Sequence, residues 1–173
     1  MAHGWVALLR AVNVGGRNKV SMAELRRVFE DAGCDSVRTY IQSGNVVFEH
    51  EAPDRAVLEE AVADAFGVQS AIVLRSARQM RRLAGAHPFG ADTSKSVVAF
   101  LAEKPKRTDL RALSELDVAP DRFEVVGPDV VMHYPNGYGG ARLSAAVLEK
   151  RLGVAATARN WRTVTRLAEL AIR

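Results

Sequence analysis

The chain has 173 residues, 48% hydrophobic and 25% charged, with 24 lysines and arginines against 20 acidic residues and a net charge of +4. That is room for one ordinary domain or two small ones, in a mix normal for a soluble globular protein. No apolar run reaches the roughly 18–20 residues that span a bilayer, and the basic excess falls short of the dense patch of a strong nucleic-acid binder.

Cys34 stands alone, so no intramolecular disulfide forms and an intracellular chain is expected. Residues 1–4 run straight into an apolar stretch with no basic n-region or cleavage site, so no signal peptide is expected and the default location is cytoplasmic.

In chain order, Trp5–Val12 is almost continuously apolar and predicts a strand covered on both faces. A loop with Gly15 and Gly16 follows. Ser21 and Glu24 then make the S-x-x-E pattern that opens a helix. Leu25, Val28, Phe29 and Ala32 recur at helical spacing, and Gly33 ends the helix as a left-handed cap. Val37–Gln42 alternates, with Val37, Thr39 and Ile41 on one face and Arg38, Tyr40 and Gln42 on the other. Ser43–Gly44 is a turn signal and Asn45–Glu49 returns as the second arm of a hairpin. Pro53 opens a helix whose inward face is Val57, Leu58, Ala61, Val62 and Phe66, capped by Gly67. Ala71–Leu74 is a short strand, and Ser76 caps a helix running to about Gly85.

His87–Ser94 is rich in turn residues and reads as a linker. The order then repeats. Ser96–Leu101 is an apolar strand, Thr108–Leu116 a helix capped by Thr108, and Phe123–Val126 with Val130–Tyr134 a hairpin. A loop at Pro135–Arg142 leads to a helix at Ser144–Leu152, ended by Gly153. A strand near Ala155–Ala158 precedes a last helix from Asn160 to about Ile172. Residues Arg75–Ala84 match Arg159–Ala168 at five of ten positions, and the Ala-Val-Leu-Glu run at Ala56–Glu59 reappears at Ala146–Glu149. Repeated element order predicts a duplication. The expected fold is α+β, a tandem of two ferredoxin-like βαββαβ units, each followed by an extra helix. Residues 1–86 form the first half, 87–95 the linker and 96–173 the second half, packed closely on the first.

The stretches LLRAVNVGGRNKVSMAELR, RTYIQSGNVVF, YPNGYGGARLS and TARNWRTVTRLAEL, in that order, resemble the domain-of-unknown-function 1697 family essentially end to end. The resemblance implies a cytoplasmic, mostly bacterial protein and no established activity. Family members commonly carry a Ser-Lys pair where this chain has Ala141 and Arg142, so a hydroxyl contact there is lost while the charge is kept.

Three loops could hold an anion. Asn13–Lys19 joins a buried strand to a helix start, presenting backbone amides, the paired glycines Gly15 and Gly16, and the cations Arg17 and Lys19. It is neither a Walker A nor a GxGxxG loop, and the plainer alternative is a turn whose glycines satisfy the backbone. Thr157, Arg159 and Asn160 lie at another strand-to-helix junction, where Arg159 is the best ligand candidate and Asn160 doubles as an N-cap. Trp161, Val164, Leu167 and Ala171 form one apolar stripe, while Arg162, Arg166 and Arg173 lie off it as a basic face. In the glycine-rich loop Pro135–Arg142, Tyr138 offers a stacking platform beside Arg142.

The polar strand face Arg38, Tyr40, Gln42 and Asn45 lacks the aromatics of an RNA-recognition sheet. His3, His50, His87 and His133 are isolated in sequence with no metal-ligand spacing, Cys34 reads as a small buried residue, and no carboxylate pair brackets a substrate. No metal and no cofactor are expected, and no catalytic residue stands out. The leading expectation is a binding protein for an anionic, phosphate- or nucleotide-like small molecule at loops shared by the halves. A nucleic-acid-binding module, motivated by the arginines of 75–82 and 159–173, is second; an enzyme acting on a phosphorylated small molecule is third. No membrane partner is expected, and the oligomeric state is not written in the sequence.

Overall fold

The fold comes from a computed structural model that describes Met1 and residues 3–171. Among them are two four-stranded antiparallel sheets and six helices, a mixed α+β architecture. The chain divides into two compact units: Met1–Arg82 with Thr165–Arg173, and Leu83–Val164.

The first unit contains β1 (His3–Leu9), α1 (Met22–Asp31), β2 (Asp35–Thr39), β3 (Asn45–His50), α2 (Arg55–Phe66), β4 (Ile72–Ser76) and, up to Arg82, α3 (Ala77–Ala84). Its sheet runs β2-β3-β1-β4. Strand β1 is central, with its last four residues, Val6–Leu9, buried as the apolar run requires. Ser21 caps α1 by accepting the Glu24 amide. The helix closes as a Schellman motif: Gly33, at φ +87°, donates to the Glu30 carbonyl and Cys34 to that of Phe29. Phe29 and Phe48 meet edge to face at 5.4 Å in a core with Leu9, Val12, Leu25, Val46, Leu58 and Ile72. A left-handed Gly67 ends α2.

The second unit contains β5 (Ser96–Leu101), α4 (Arg107–Ser114), β6 (Arg122–Val126), β7 (Asp129–His133), α5 (Ala145–Leu152) and β8 (Ala156–Asn160), in the sheet order β6-β7-β5-β8. Strands β5 and β7 are buried throughout. Their residues join Leu113, Tyr134, Leu143, Leu148 and Leu152 in a second core. Gly153 closes α5 in the left-handed conformation. The last helix, α6 (Trp161–Leu170), begins in the second unit and ends in the first. Its stripe of Trp161, Val164, Leu167 and Ala171 is buried, and Arg162 and Arg166 are exposed. Ile172, where the sequence reading ends this helix, and Arg173, placed by it on the basic face, lie outside the described residues.

Several boundaries differ from the sequence expectation. Strand β1 stops at Leu9, because the backbone turns at Ala11, held at φ +55°. Strand β2 stops at Thr39, so Tyr40 and Gln42 leave the alternating face. Ile41 sits at φ +51° and is 48% exposed rather than inward. Asp54, not Pro53, starts α2 by accepting the Ala56 amide, and Val57 faces solvent. Helix α4 begins at Arg107 after an N-cap Lys106 that makes no side-chain bond; Thr108 lies inside it, and Asp109 complements the first-turn dipole. Asp129, the first residue of β7, is 2% exposed and accepts the Leu101 amide.

Candidate functional site

In the first unit the loop after β1 is a miniature hairpin. Gly15 and Gly16, at φ +57° and +74°, form its tip, with the Arg17 amide donating to Val14 at 3.0 Å. Two positive φ values in a two-residue turn are the type I′ signature that glycine supplies without strain. The base is tied by asparagines. Asn13 donates from Nδ2 to the carbonyls of Val20 (2.9 Å) and Gln42 (2.8 Å) and accepts the Val20 amide; Asn18 donates to the Ala11 carbonyl.

The bond from Asn13 to Gln42 joins this hairpin to the 40–44 loop. There Gly44, at φ +85°, is buried, and its carbonyl takes the Leu9 amide at 2.9 Å. An added Cβ would lie 2.5 Å from Val12 Cγ2 and 3.0 Å from Leu9 Cβ, so only glycine fits. The Gly15 and Gly16 amides make no hydrogen bond among the described residues. Arg17 and Lys19 are exposed and form no ion pair among the described residues.

In the second unit Tyr138 is 57% exposed, its ring 4.8 Å from that of Tyr134. Burial raises both phenols, Tyr134 to about 12, and the Tyr134 hydroxyl donates to the Leu143 carbonyl. Arg142 is exposed and reaches the Asp117 carbonyl at 3.5 Å. Arg159 lies in β8 at 8% exposure, donating to Thr157 Oγ1 (2.7 Å) and to the Ala158 carbonyl (2.9 Å). Burial lowers its pKa to about 10. Asn160 accepts the Thr163 amide and so caps α6.

The histidines that are isolated in sequence are not all isolated in space. Ser96 Oγ lies 2.8 Å from His87 Nε2 and 2.8 Å from His133 Nδ1, while His87 Nδ1 lies 2.8 Å from the Gly90 carbonyl. A carbonyl only accepts, so His87 carries its proton on Nδ1. With a neutral His87, Ser96 donates to Nε2 and accepts from His133 Nδ1–H. Phe89, 5.6 Å from the His133 ring, carries the Arg122 guanidinium 4.9 Å above it, and Trp161 stands 4.7 Å from His87. Burial, then the charges of Arg122 and His87, lower the His133 pKa. The supposed linker thus supplies two rings of an ordered cluster. Its only sequence signal is the Ser-His-Phe side chemistry, scattered over three elements. Ser96 is fully buried, so it meets no substrate.

Burial first, and Asp35 second, push the Cys34 thiol up to about 11, which keeps it protonated and unreactive at neutral pH. Among the described residues no group of three His, Cys, Asp or Glu side chains could hold a metal ion, and no helix is long and apolar enough to cross a membrane.

A family model described as Protein of unknown function (DUF1697) matches residues 2–130. Among solved structures the chain is similar to the conserved bacterial protein SP0830 from Streptococcus pneumoniae, at 22% identity and a TM-score of 0.77, with 100% of each chain covered. That likeness is one of fold. No curated protein matches the chain.

Proposed function

The chain belongs to the family Protein of unknown function (DUF1697), and from that premise we propose that it binds a small anion, phosphate- or nucleotide-like, on the two joined loops 11–19 and 41–44. The carrying observation is where strain collects. Among the described residues, five non-glycine residues sit at positive φ, Ala11, Asn13, Asn18, Ser36 and Ile41, all in the first unit and four of them in these two loops. Positive φ in a β-branched residue such as Ile41 is a real outlier, and each such residue costs about 1–3 kcal/mol. Strain of that size persists where the surrounding bonds enforce it and a function uses it. Among the described residues, the glycine tip supplies two unpaired amides, and Arg17 and Lys19 supply charge that no carboxylate pairs with. Tyr138 and Arg142 stay in the proposal as exposed groups of a second loop. Arg159 and Asn160 carry less weight in it, their polar atoms being used by Thr157, Ala158 and Thr163.

The same proposal takes the fold as two ferredoxin-like βαββαβ copies, 1–86 and 96–173 joined by 87–95, in a cytoplasmic protein. Equivalent bonds support the duplication. The carboxylates of Glu59 and Glu149 each accept, at 2.8 Å, the first amide of a strand, Ile72 and Ala156. Those residues pair with Leu9 and Leu101, the last residues of β1 and β5. Arg75 and Arg159 are both buried, opposite Val6 and Val98. Ser76 and Asn160 both cap the helix that follows.

The test is a melting-point screen with inorganic phosphate, nucleoside phosphates and short oligonucleotides at low and moderate salt. A ligand bound only by the native state at a hundred times its Kd adds about 2.7 kcal/mol of stability. The expected result is a shift with a small anion that survives moderate salt and disappears in Arg17→Ala/Lys19→Ala. No shift with any anion, or an unchanged shift in that variant, overturns the proposal. Shifts confined to oligonucleotides and lost with salt would replace it with nucleic-acid binding.

A further inference from the structure

The β6–β7 hairpin closes over the two-residue turn Gly127–Pro128, with Val126 paired to Asp129. In such a hairpin the closing pair exchanges both its hydrogen bonds, and bonded and non-bonded pairs alternate from there. Val126, Glu124 and Arg122 therefore bond to β7. The N–H and C=O groups of Phe123 and Val125 point away from the sheet, and neither residue finds a partner for them among the described residues.

Among the described strands this edge differs from the other three. A bulge between Asp35 and Arg38, with Ser36 at φ +51°, breaks β2 and makes it a poor template. Strands β4 and β8 each bury three of their five residues, whereas β6 buries none and leaves Val125 43% exposed. A regular, exposed edge without a bulge, a proline or an inward charge is a surface that accepts another strand.

We infer that β6 is a self-association edge, on which a second copy of this chain pairs antiparallel with Phe123 opposite Phe123. Charge selects that register. Three registers align the outward-facing groups, centred on Phe123, Glu124 or Val125. Centring on Glu124 sets carboxylate against carboxylate, and centring on Val125 sets Glu124 opposite Val126. Centring on Phe123 places each Arg122 opposite the other copy's Glu124, in a non-bonded pair where side chains stand closest. The two Phe123 residues exchange reciprocal backbone bonds, and each Val125 amide donates to the opposite Asp121 carbonyl. The Asp121 amide adds nothing, since it already donates to Val118 at 3.0 Å. Arg122 is pre-set for this role by its seat over Phe89. So short a strand makes a transient dimer, populated at high protein concentration.

Sedimentation equilibrium on the full chain over a wide concentration range tests the inference. Wild type is expected to self-associate. Glu124→Arg and Arg122→Glu each turn both cross-strand pairs into like-charge pairs, weakening association about tenfold. The decisive arm is the mixture of those two variants, which repel themselves but present opposite charges to each other. Their mixture is expected to dimerise as wild type does. Val125→Pro, tolerated at a sheet edge, removes an outward donor and is expected to abolish association with little change in melting point. A wild-type monomer at every concentration, association indifferent to Glu124→Arg, or variants that fail to recover on mixing would each overturn the inference.

Discussion

Gly44→Ala separates two ways in which a glycine can be required. At φ +85° an alanine bears a conformational cost of about 1–2 kcal/mol. Its Cβ would also lie 2.5 Å from Val12 Cγ2 and 3.0 Å from Leu9 Cβ. Val12 and Leu9 are 2% and 0% exposed, so neither side chain can swing into solvent, and overpacking of this kind costs a further 1–3 kcal/mol or so. The sum, about 2–5 kcal/mol, lowers the melting temperature of a chain this size by roughly 5–15 °C. Gly67→Ala is the control: it sits at φ +64° with nothing within 4 Å of its would-be Cβ, so it bears the conformational cost alone. Urea unfolding followed by circular dichroism gives both values. A double-mutant cycle with Val12→Ala then isolates the clash, since removing Cγ2 makes room for the new methyl. If Gly44→Ala costs no more than Gly67→Ala, or if the cycle shows no coupling, the close approach is not what excludes a side chain there.

The glutamate pair tests the duplication at two points. Glu59→Ala and Glu149→Ala each remove the acceptor of a strand's first amide, and each is expected to cost about 1–2 kcal/mol. Faster hydrogen exchange at Ile72 in one variant and Ala156 in the other is the signature, and unchanged exchange at either would refute the equivalence. His133 makes stability depend on pH. Its pKa is lowered in the fold, by burial and then by Arg122 and His87, with Asp92 opposing and Lys95 adding to the effect. Its contribution is therefore fully present above the unfolded value of about 6.5 and is lost as pH falls from there through the lower folded value. His133→Gln should flatten the fall in stability as pH drops below about 6.5; an unchanged slope would show that other groups carry it.

What could be read from sequence was the chemistry that closes within a few residues. Ser21 with Glu24, the left-handed caps Gly67 and Gly153, and the continuous apolar run of β5 each carry their reason locally. The ends of β1 and β2 do not, because what bends the chain is an asparagine reaching a distant carbonyl. Nothing near Asn13 announces its bond to Gln42, and Ile41 is an alternating apolar residue until that loop holds it at positive φ. The histidines were illegible for the same reason. Ser96, an unremarkable first residue of an apolar strand, is what brings His87 and His133 together. The cations Arg17 and Lys19 were readable as candidates; that Arg159 would be buried against its own strand was not.

The division of the chain has a consequence for biosynthesis. The first unit is written in two pieces, with the whole of the second unit between them. Arg38 donates to the Leu170 carbonyl, and Gly4 has no side chain where the Ala171 carbonyl comes close. Both partners are translated only after the whole of the second unit. A ribosome making this protein therefore releases β1 through α3 long before the segment that Gly4 and Arg38 await. Of the two units, the one begun first is completed only after the other has been made. A rearranged gene that encodes residues 165–171 ahead of β1 would let that half complete itself first, and a shortened delay in its protease resistance during translation would record the change.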